Sequence, residues 1–257
     1  MAEVIEVQNL TKVFKTQNNA EGFRVIDNLS FSVGRGEKVG IVGSTGCGKS
    51  TFLRIVLGVE RPTEGRVVVD GREPYLEYNH FKGKISAVFQ EDRLLPWRTA
   101  VDNVIIGLEI MNVEKPKALE EAEKWLKRLG LEKFARAYPS ELSGGMRQRV
   151  AIARALIVNP EVVLLDEAFG HLDEVTSRRL RSDFFKILSG SGTTTVMVTH
   201  NLDEALESVD RILVFGKPAK MLGDFRLGDY DPKQLKHLLQ TLIEMNVPLE
   251  ELDFGKV

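Results

Sequence analysis

One cysteine, Cys47, is all that 257 residues contain, which excludes an internal disulfide and fits a reducing compartment. Long apolar runs are missing too. No stretch approaches the roughly eighteen uninterrupted apolar residues of a membrane span, so the chain is expected not to cross a bilayer by itself. Met1 to Glu6 shows no basic segment leading into an apolar core, and export is therefore not expected. Basic excess is absent: 35 Lys and Arg face 37 Asp and Glu for a net charge of −2, which offers no electrostatic case for binding nucleic acid. Neither an internal repeat nor a sustained heptad run is present. What remains, with 43% apolar and 28% charged residues, is an ordinary globular composition able to bury a large core.

The most informative stretch is Gly43-Ser44-Thr45-Gly46-Cys47-Gly48-Lys49-Ser50, a match to G-x-x-x-x-G-K-[ST]. In that pattern glycines let backbone N–H groups converge on phosphate oxygens, the lysine reaches the β- and γ-phosphates and the hydroxyl can hold Mg²⁺. Chance alone gives this four-position pattern in about one chain of this size in a hundred. The flanks add context: Glu37 to Val42 reads as a buried strand, and Ser50 to Leu57 as a helix closed by Gly58. Phosphates would then meet a helix N-terminus, and residues Gly43 through Thr51 are the candidate ATP-binding set. Cys47, inside the loop, is expected to be open to alkylation, or else to be a small tolerated side chain.

Val162-Val163-Leu164-Leu165-Asp166-Glu167 is an apolar run ending in two carboxylates, the pattern of a buried strand delivering acids at its carboxyl edge. Asp166 would hold Mg²⁺ together with Ser50, and Glu167 would polarise a water aimed at the γ-phosphate. Leu142-Ser143-Gly144-Gly145 opens a helical stretch, Gly145 to Ile157, with Val150, Ile152, Ala153, Leu156 and Ile157 on its apolar side. Its N-terminal amides can grip an anion, or Ser143 can simply cap the helix.

In order and spacing, the phosphate loop, Gln90 after Ile85 to Phe89, Leu142 to Arg149, Asp166-Glu167, Leu172-Asp173 and Thr199-His200 resemble the ABC-type ATPases from about residue 3 to residue 216. The resemblance implies an α/β P-loop NTPase core with a mostly parallel sheet, an antiparallel β-subdomain and an inserted helical subdomain. It implies ATP and Mg²⁺, with Gln90 beside Ser50 and Asp166 at the metal. Glu167, His200 and Gln90 would serve catalysis, and Phe14 would stack on adenine unless it is an ordinary core residue. It further implies a head-to-tail dimer, of two copies or with a related ATPase, in which Ser143, Gly144 and Gly145 complete the partner's site. The sequence departs from many members at Ala168, where they carry proline, and at His171, where they carry a small residue; this leaves the strength of dimer closure open.

Val4 to Val13, Val25 to Val33 and Arg66 to Asp70 alternate as antiparallel strands, and Pro116 to Leu129 reads as an amphipathic helix. The single domain is expected to divide into a nucleotide-binding core at 1–88 and 158–217, a helical subdomain at 89–157 and a tail at 218–257. In that tail Asp231-Pro232 caps a helix striped by Leu235, Leu238, Leu239, Leu242 and Ile243. Between Gln90 and the helical part, the loop Glu91 to Val104 carries Leu94, Leu95 and Trp97, three apolar groups where loops usually face water. They either pack into their own subdomain or take a short helix of a membrane subunit, rimmed by Glu91, Asp92 and Arg98. Leu94-Leu95-Pro96-Trp97 followed by Asp102-Asn103-Val104 resembles the ATPases of nitrate, sulfonate, taurine and bicarbonate importers. That resemblance implies transmembrane permease partners, an indirectly linked solute-binding protein, a small anionic solute and a place at the cytoplasmic face of the membrane. An ABC-type ATPase of DNA repair or translation is the alternative.

Overall fold

A computed structural model describes residues 2–16, 19–170 and 172–252. His171 lies outside the described residues. In chain order the elements are β1 (Glu3–Thr16), β2 (Asn19–Gly34), β3 (Lys38–Gly43), α1 (Lys49–Val56), β4 (Glu64–Val69), β5 (Ile85–Phe89), α2 (Ala100–Val104), α3 (Ile106–Ile110) and α4 (Lys115–Arg128). They continue with α5 (Gly144–Leu156), β6 (Val162–Asp166), α6 (Glu174–Leu188), β7 (Thr194–Thr199), α7 (Leu202–Leu206), β8 (Arg211–Phe215), β9 (Met221–Arg226) and α8 (Pro232–Met245). No helix among the described residues is long and apolar enough to cross a membrane.

The chain forms two compact units, Met1–His80 with Thr194–Val257, and Phe81–Thr193. In the first, β7, β3 and β8 run parallel and β9 closes the edge antiparallel. Val39, Ile41, Val196, Val198, Leu213 and Val214 are fully or almost fully buried, which explains why these strands read as continuous apolar runs rather than alternating ones. The expected antiparallel portion is a three-stranded sheet in the order β2-β1-β4. Phe31 of β2, Phe52 of α1 and Phe215 of β8 join ring to ring at 5.5 to 6.0 Å and fix α1 against the strands around it. The tail helix α8 is capped by Asp231, whose carboxylate accepts from the amides of Lys233 and Gln234, and it buries Leu235, Leu239 and Leu242. Each such leucine contributes about 1.5–3 kcal/mol, so docking within the unit accounts for these three, while Leu238 and Ile243 of the same stripe are half-buried.

In the second unit, β5 and β6 pair in parallel, with Phe89 opposite Asp166. The amphipathic helix α4 turns Ala118, Ala122 and Leu126 inward and ends on Leu129, while Leu119 and Trp125 are half-buried. Helix α5 begins one residue earlier than the sequence suggests, because the Ser143 hydroxyl accepts from the amide of Met146 at 3.3 Å and sets the boundary.

Candidate functional site

In the first unit the phosphate loop leaves the carboxyl end of β3. Register places Val42 beside Thr199 and Gly43 beside Phe215, so the loop, His200 and the end of β8 share one edge. That is where open α/β sheets bind ligands. The glycines are required by close approach. A Cβ at Gly43 would lie 2.4 Å from the carbonyl oxygen of Phe215, and Gly48, at φ +121°, would place one 2.7 Å from that of Val25. The Lys49 ammonium donates to the carbonyls of Gly43 at 2.8 Å and Ser44 at 3.0 Å, so it is held inside the loop while Thr45 and Gly46 are exposed. Ser50 and Thr51 are half-exposed at the start of α1. Cys47 is 1% exposed, and its sulfur lies 3.9 Å from the Lys49 ammonium. Of the two readings of Cys47, burial speaks against alkylation and for the small side chain: the thiol packs inward as a small apolar group.

His200 stands exposed after β7. The turn that presents it is fixed from below, where the Thr199 hydroxyl donates to Glu204 at 2.5 Å and accepts from the Asn201 amide at 3.0 Å. Phe14 is half-buried, not a core residue. The Lys12 ammonium, paired with Glu60 at 2.6 Å, sits 4.6 Å from the ring centroid. Its cross-strand partner Phe23, which the sequence reading passed over, is largely exposed. Phe23 lies two residues before Val25, which puts the aromatic pair about 7 Å along β2 from the contact with Gly48.

In the second unit, Gln90 follows β5 and Asp166-Glu167 end β6, side by side at the carboxyl edge of the pair. Asp166 and Glu167 are half-exposed and Gln90 exposed. Glu167 adopts φ +49°, a left-handed conformation that an L-residue holds only where its surroundings impose it. The residue that imposes order here was not singled out from sequence. Gln148 of α5, buried, donates its amide to the carbonyls of Phe89 at 3.2 Å and Ala168 at 2.5 Å, and so ties the residue before Gln90 to the residue after Glu167. Arg147 donates to Asp92 at 2.8 Å and to the Leu142 carbonyl at 2.8 Å. Arg154 donates to the carbonyls of Asp92 and Arg93 at 2.7 and 2.8 Å; burial lowers its pKa, and Asp92 opposes that. One helix face thus moulds the loop after Gln90. A signal was present in sequence, since four polar residues, Arg147, Gln148, Arg149 and Arg154, interrupt the apolar side of this helix, but their targets were not legible.

The helix N-terminus itself is open: Ser143 and Gly144 are exposed and Gly145 half-exposed. Asp173 caps α6, accepting from the Thr176 amide at 3.0 Å, and this bond holds its carboxyl below the usual range.

Of the three apolar groups in the loop after Gln90, Leu94 is corrected. It is 8% exposed and belongs to its own unit's core. Leu95 is half-buried, and Trp97 projects at 71% exposure. Asn103, fully buried, holds this shape: its carbonyl accepts from the Leu95 amide at 2.7 Å, and its amide donates to the carbonyls of Leu95, Arg98 and Thr99 at 3.0–3.1 Å. Of the expected rim, Asp92 serves Arg147, and Arg98 pairs with Glu109 at 2.6 Å.

In the first unit the phosphate loop at the N-terminus of α1, with the Lys49 ammonium inside it and the Ser50 hydroxyl beside it, suits a phosphate and a hard cation; in the second unit the Asp166 carboxylate is a hard oxygen donor of the kind Mg²⁺ takes. A family model described as ABC transporter matches residues 26–170. The aliphatic sulfonates import ATP-binding protein of Bacillus cereus is 37% identical, over 84% of this chain and 83% of its own. The Fe(3+) ions import ATP-binding protein of Agrobacterium fabrum is 41% identical, over 82% of this chain and 60% of its own. Among solved structures, a dimeric post-hydrolysis state of an ATP-binding cassette bound to ADP and Pi superposes with a TM-score of 0.78 at 33% identity. It covers 87% of this chain and 98% of that one.

Proposed function

The chain belongs to the ABC transporter family and is an ATPase of that type with the P-loop NTPase fold, and from this premise we propose that it powers an importer as a paired subunit beneath transmembrane permeases. In this reading ATP is bound by Gly43 through Thr51, with Lys49 transferring its hydrogen bonds from loop carbonyls to phosphate and Phe14 stacking on adenine. Ser50, Gln90 and Asp166 would hold Mg²⁺, which would supply positive charge against that building on the phosphates. Glu167 accepts a proton from the attacking water, and His200 donates to the γ-phosphate. Binding draws two subunits together, and hydrolysis releases them.

The observation that carries the paired reading is the open N-terminus of α5, where Ser143, Gly144 and Gly145 present amides to solvent at the head of a 13-residue helix. Such donors suit the γ-phosphate of a partner's nucleotide. The test is ATPase rate per protein molecule against protein concentration. A rate that falls on dilution and is abolished by Ser143→Arg supports pairing; full activity in a monomer at every dilution refutes it.

Trp97 is the proposed permease contact, with Leu95 beside it. An exposed indole on a loop whose backbone, at Leu95, Arg98 and Thr99, is held by a buried Asn103 is an expensive surface for a chain that works alone. Capture of the permease from detergent extract should weaken on Trp97→Ala, and unchanged capture removes Trp97 from the interface. For the solute, Leu94 to Trp97 supports a nitrate-, sulfonate-, taurine- or bicarbonate-like anion, and a relative named for sulfonates agrees. Another relative at similar identity is named for Fe(3+), so the cassette does not by itself carry the solute's identity. Both relatives are import subunits, which favours transport over repair or translation.

A further inference from the structure

The turn after β8 lies against the phosphate loop on one side and the end of the tail helix on the other. Its backbone is strapped to β2, with the Ala219 amide donating to the Val25 carbonyl at 2.9 Å and the Asp27 amide to the Ala219 carbonyl at 2.8 Å. A Cβ at Gly48 would meet this same pair of neighbours, the Val25 carbonyl at 2.7 Å and the Ala219 methyl at 3.0 Å. The turn is therefore part of the wall on which the phosphate loop rests. At its head stands Lys217, exposed, whose ammonium would lie 3.7 Å from a Cβ built at Gly46, the exposed glycine of the loop.

What aims this lysine is α8. Asn246 ends that helix in the left-handed conformation, φ 55° and ψ 37°. Its side-chain oxygen accepts from the Lys217 amide at 2.7 Å, and its side-chain nitrogen donates to the Lys217 carbonyl at 3.1 Å. Two bonds, one to each peptide group flanking the Lys217 Cα, fix position and direction together, which a single bond would not. Leu235, Leu239 and Leu242 hold the helix, the helix holds Asn246, and Asn246 holds the backbone of Lys217.

We propose that Lys217 is a second cation for the nucleotide's phosphate chain and that Asn246, through the docked tail helix, is its positioning residue. The inference rests on the phosphate-loop reading and gives the tail a role that its apolar packing alone does not. A nucleoside di- or triphosphate brings several negative charges to Gly46, and Lys49 supplies a single ammonium from the inner side of the loop. An ammonium on the outer side offsets charge that Lys49 does not reach.

The test is equilibrium titration of the full chain with fluorescent ATP, ADP and adenosine analogues at low ionic strength. Lys217→Ala should weaken ATP and ADP about tenfold and leave the adenosine analogue unchanged, while Lys217→Arg keeps affinity. At roughly 1 M salt, where the screening length is about 3 Å, the difference should shrink severalfold. Asn246→Gly keeps the left-handed helix end and removes only the side-chain bonds; it should lose about threefold on ATP, with the double variant no weaker than Lys217→Ala alone. Lys49→Ala separates the two levels. If it weakens ATP while Lys217→Ala does not, Lys217 has no part in binding and the inference fails alone. If Lys49→Ala binds ATP normally, the phosphate-loop reading fails and takes the inference with it. A loss on Asn246→Gly that adds in full to that of Lys217→Ala overturns the positioning role.

Discussion

Gln148 offers the sharpest separation of chemistry from binding. Gln148→Ala removes the amide that satisfies the carbonyls of Phe89 and Ala168 in a buried setting. Two lost hydrogen bonds of about 1 kcal/mol each, plus the cost of leaving carbonyls without donors, give a destabilisation of about 2–4 kcal/mol, offset by a few tenths for alanine's helix preference. The kinetic consequence is larger than the structural one. Phe89 precedes Gln90 and Ala168 follows Glu167, so the tie sets the spacing of a residue assigned to the metal and one assigned to the attacking water. A shift of about 1 Å there costs on the order of 10²-fold in turnover. The phosphate loop belongs to the other compact unit and keeps its own bonds. Steady-state ATP hydrolysis, ATP titration and urea unfolding on the same variant should show kcat down about 10²-fold with ATP affinity within about twofold of the parent. Gln148→Met, which keeps the volume but has no donor, should behave alike. An unchanged kcat in a folded variant, or affinity falling in step with kcat, refutes the reasoning.

Glu167→Gln should lower turnover by roughly 10²–10⁴ and leave an ATP-bound dimer that can be isolated by gel filtration; near-normal turnover removes Glu167 from its role. Because glutamine inherits the same φ of +49°, its melting temperature should match the parent's. Asp173 has a folded pKa below its ordinary value of 3.8 because the Thr176 amide donates to the ionised carboxylate. Its contribution is therefore fully present above the unfolded value and lost as pH falls through the folded one. Asp173→Ala should destabilise at pH 7, with the gap to the parent closing below pH 3.8 in denaturant titrations; a gap that widens in acid would contradict this. Leu239→Ala, at a fully buried site on α8, should cost about 2–5 kcal/mol by urea unfolding. A cost below about 1 kcal/mol would mean that the tail is not docked in solution.

Periodicity and local chemistry made much of this molecule legible in advance. The apolar run ending in Asp166-Glu167, the alternation of β1 and β2, the Ser143 and Asp231 caps and the buried faces of α4 and α8 are short-range consequences of residue order. The phosphate loop was readable because its glycines answer a backbone requirement that no other residue meets. The burial of Cys47 and Leu94 was not legible, for one shared reason. Exposure is decided by what covers a residue, and the cover comes from chain far away in sequence. Gln148 and Asn246 escaped notice because an amide's worth depends on which carbonyls it meets, and those partners lie 59 residues distant for Gln148–Phe89 and 29 for Asn246–Lys217. The order of residues determined the family, the elements and the phosphate-binding chemistry, all of which depend on contacts within a few positions. Only the tertiary structure decided which polar side chains hold that chemistry in place, because a hydrogen bond is made in space and carries no mark in the sequence between its ends.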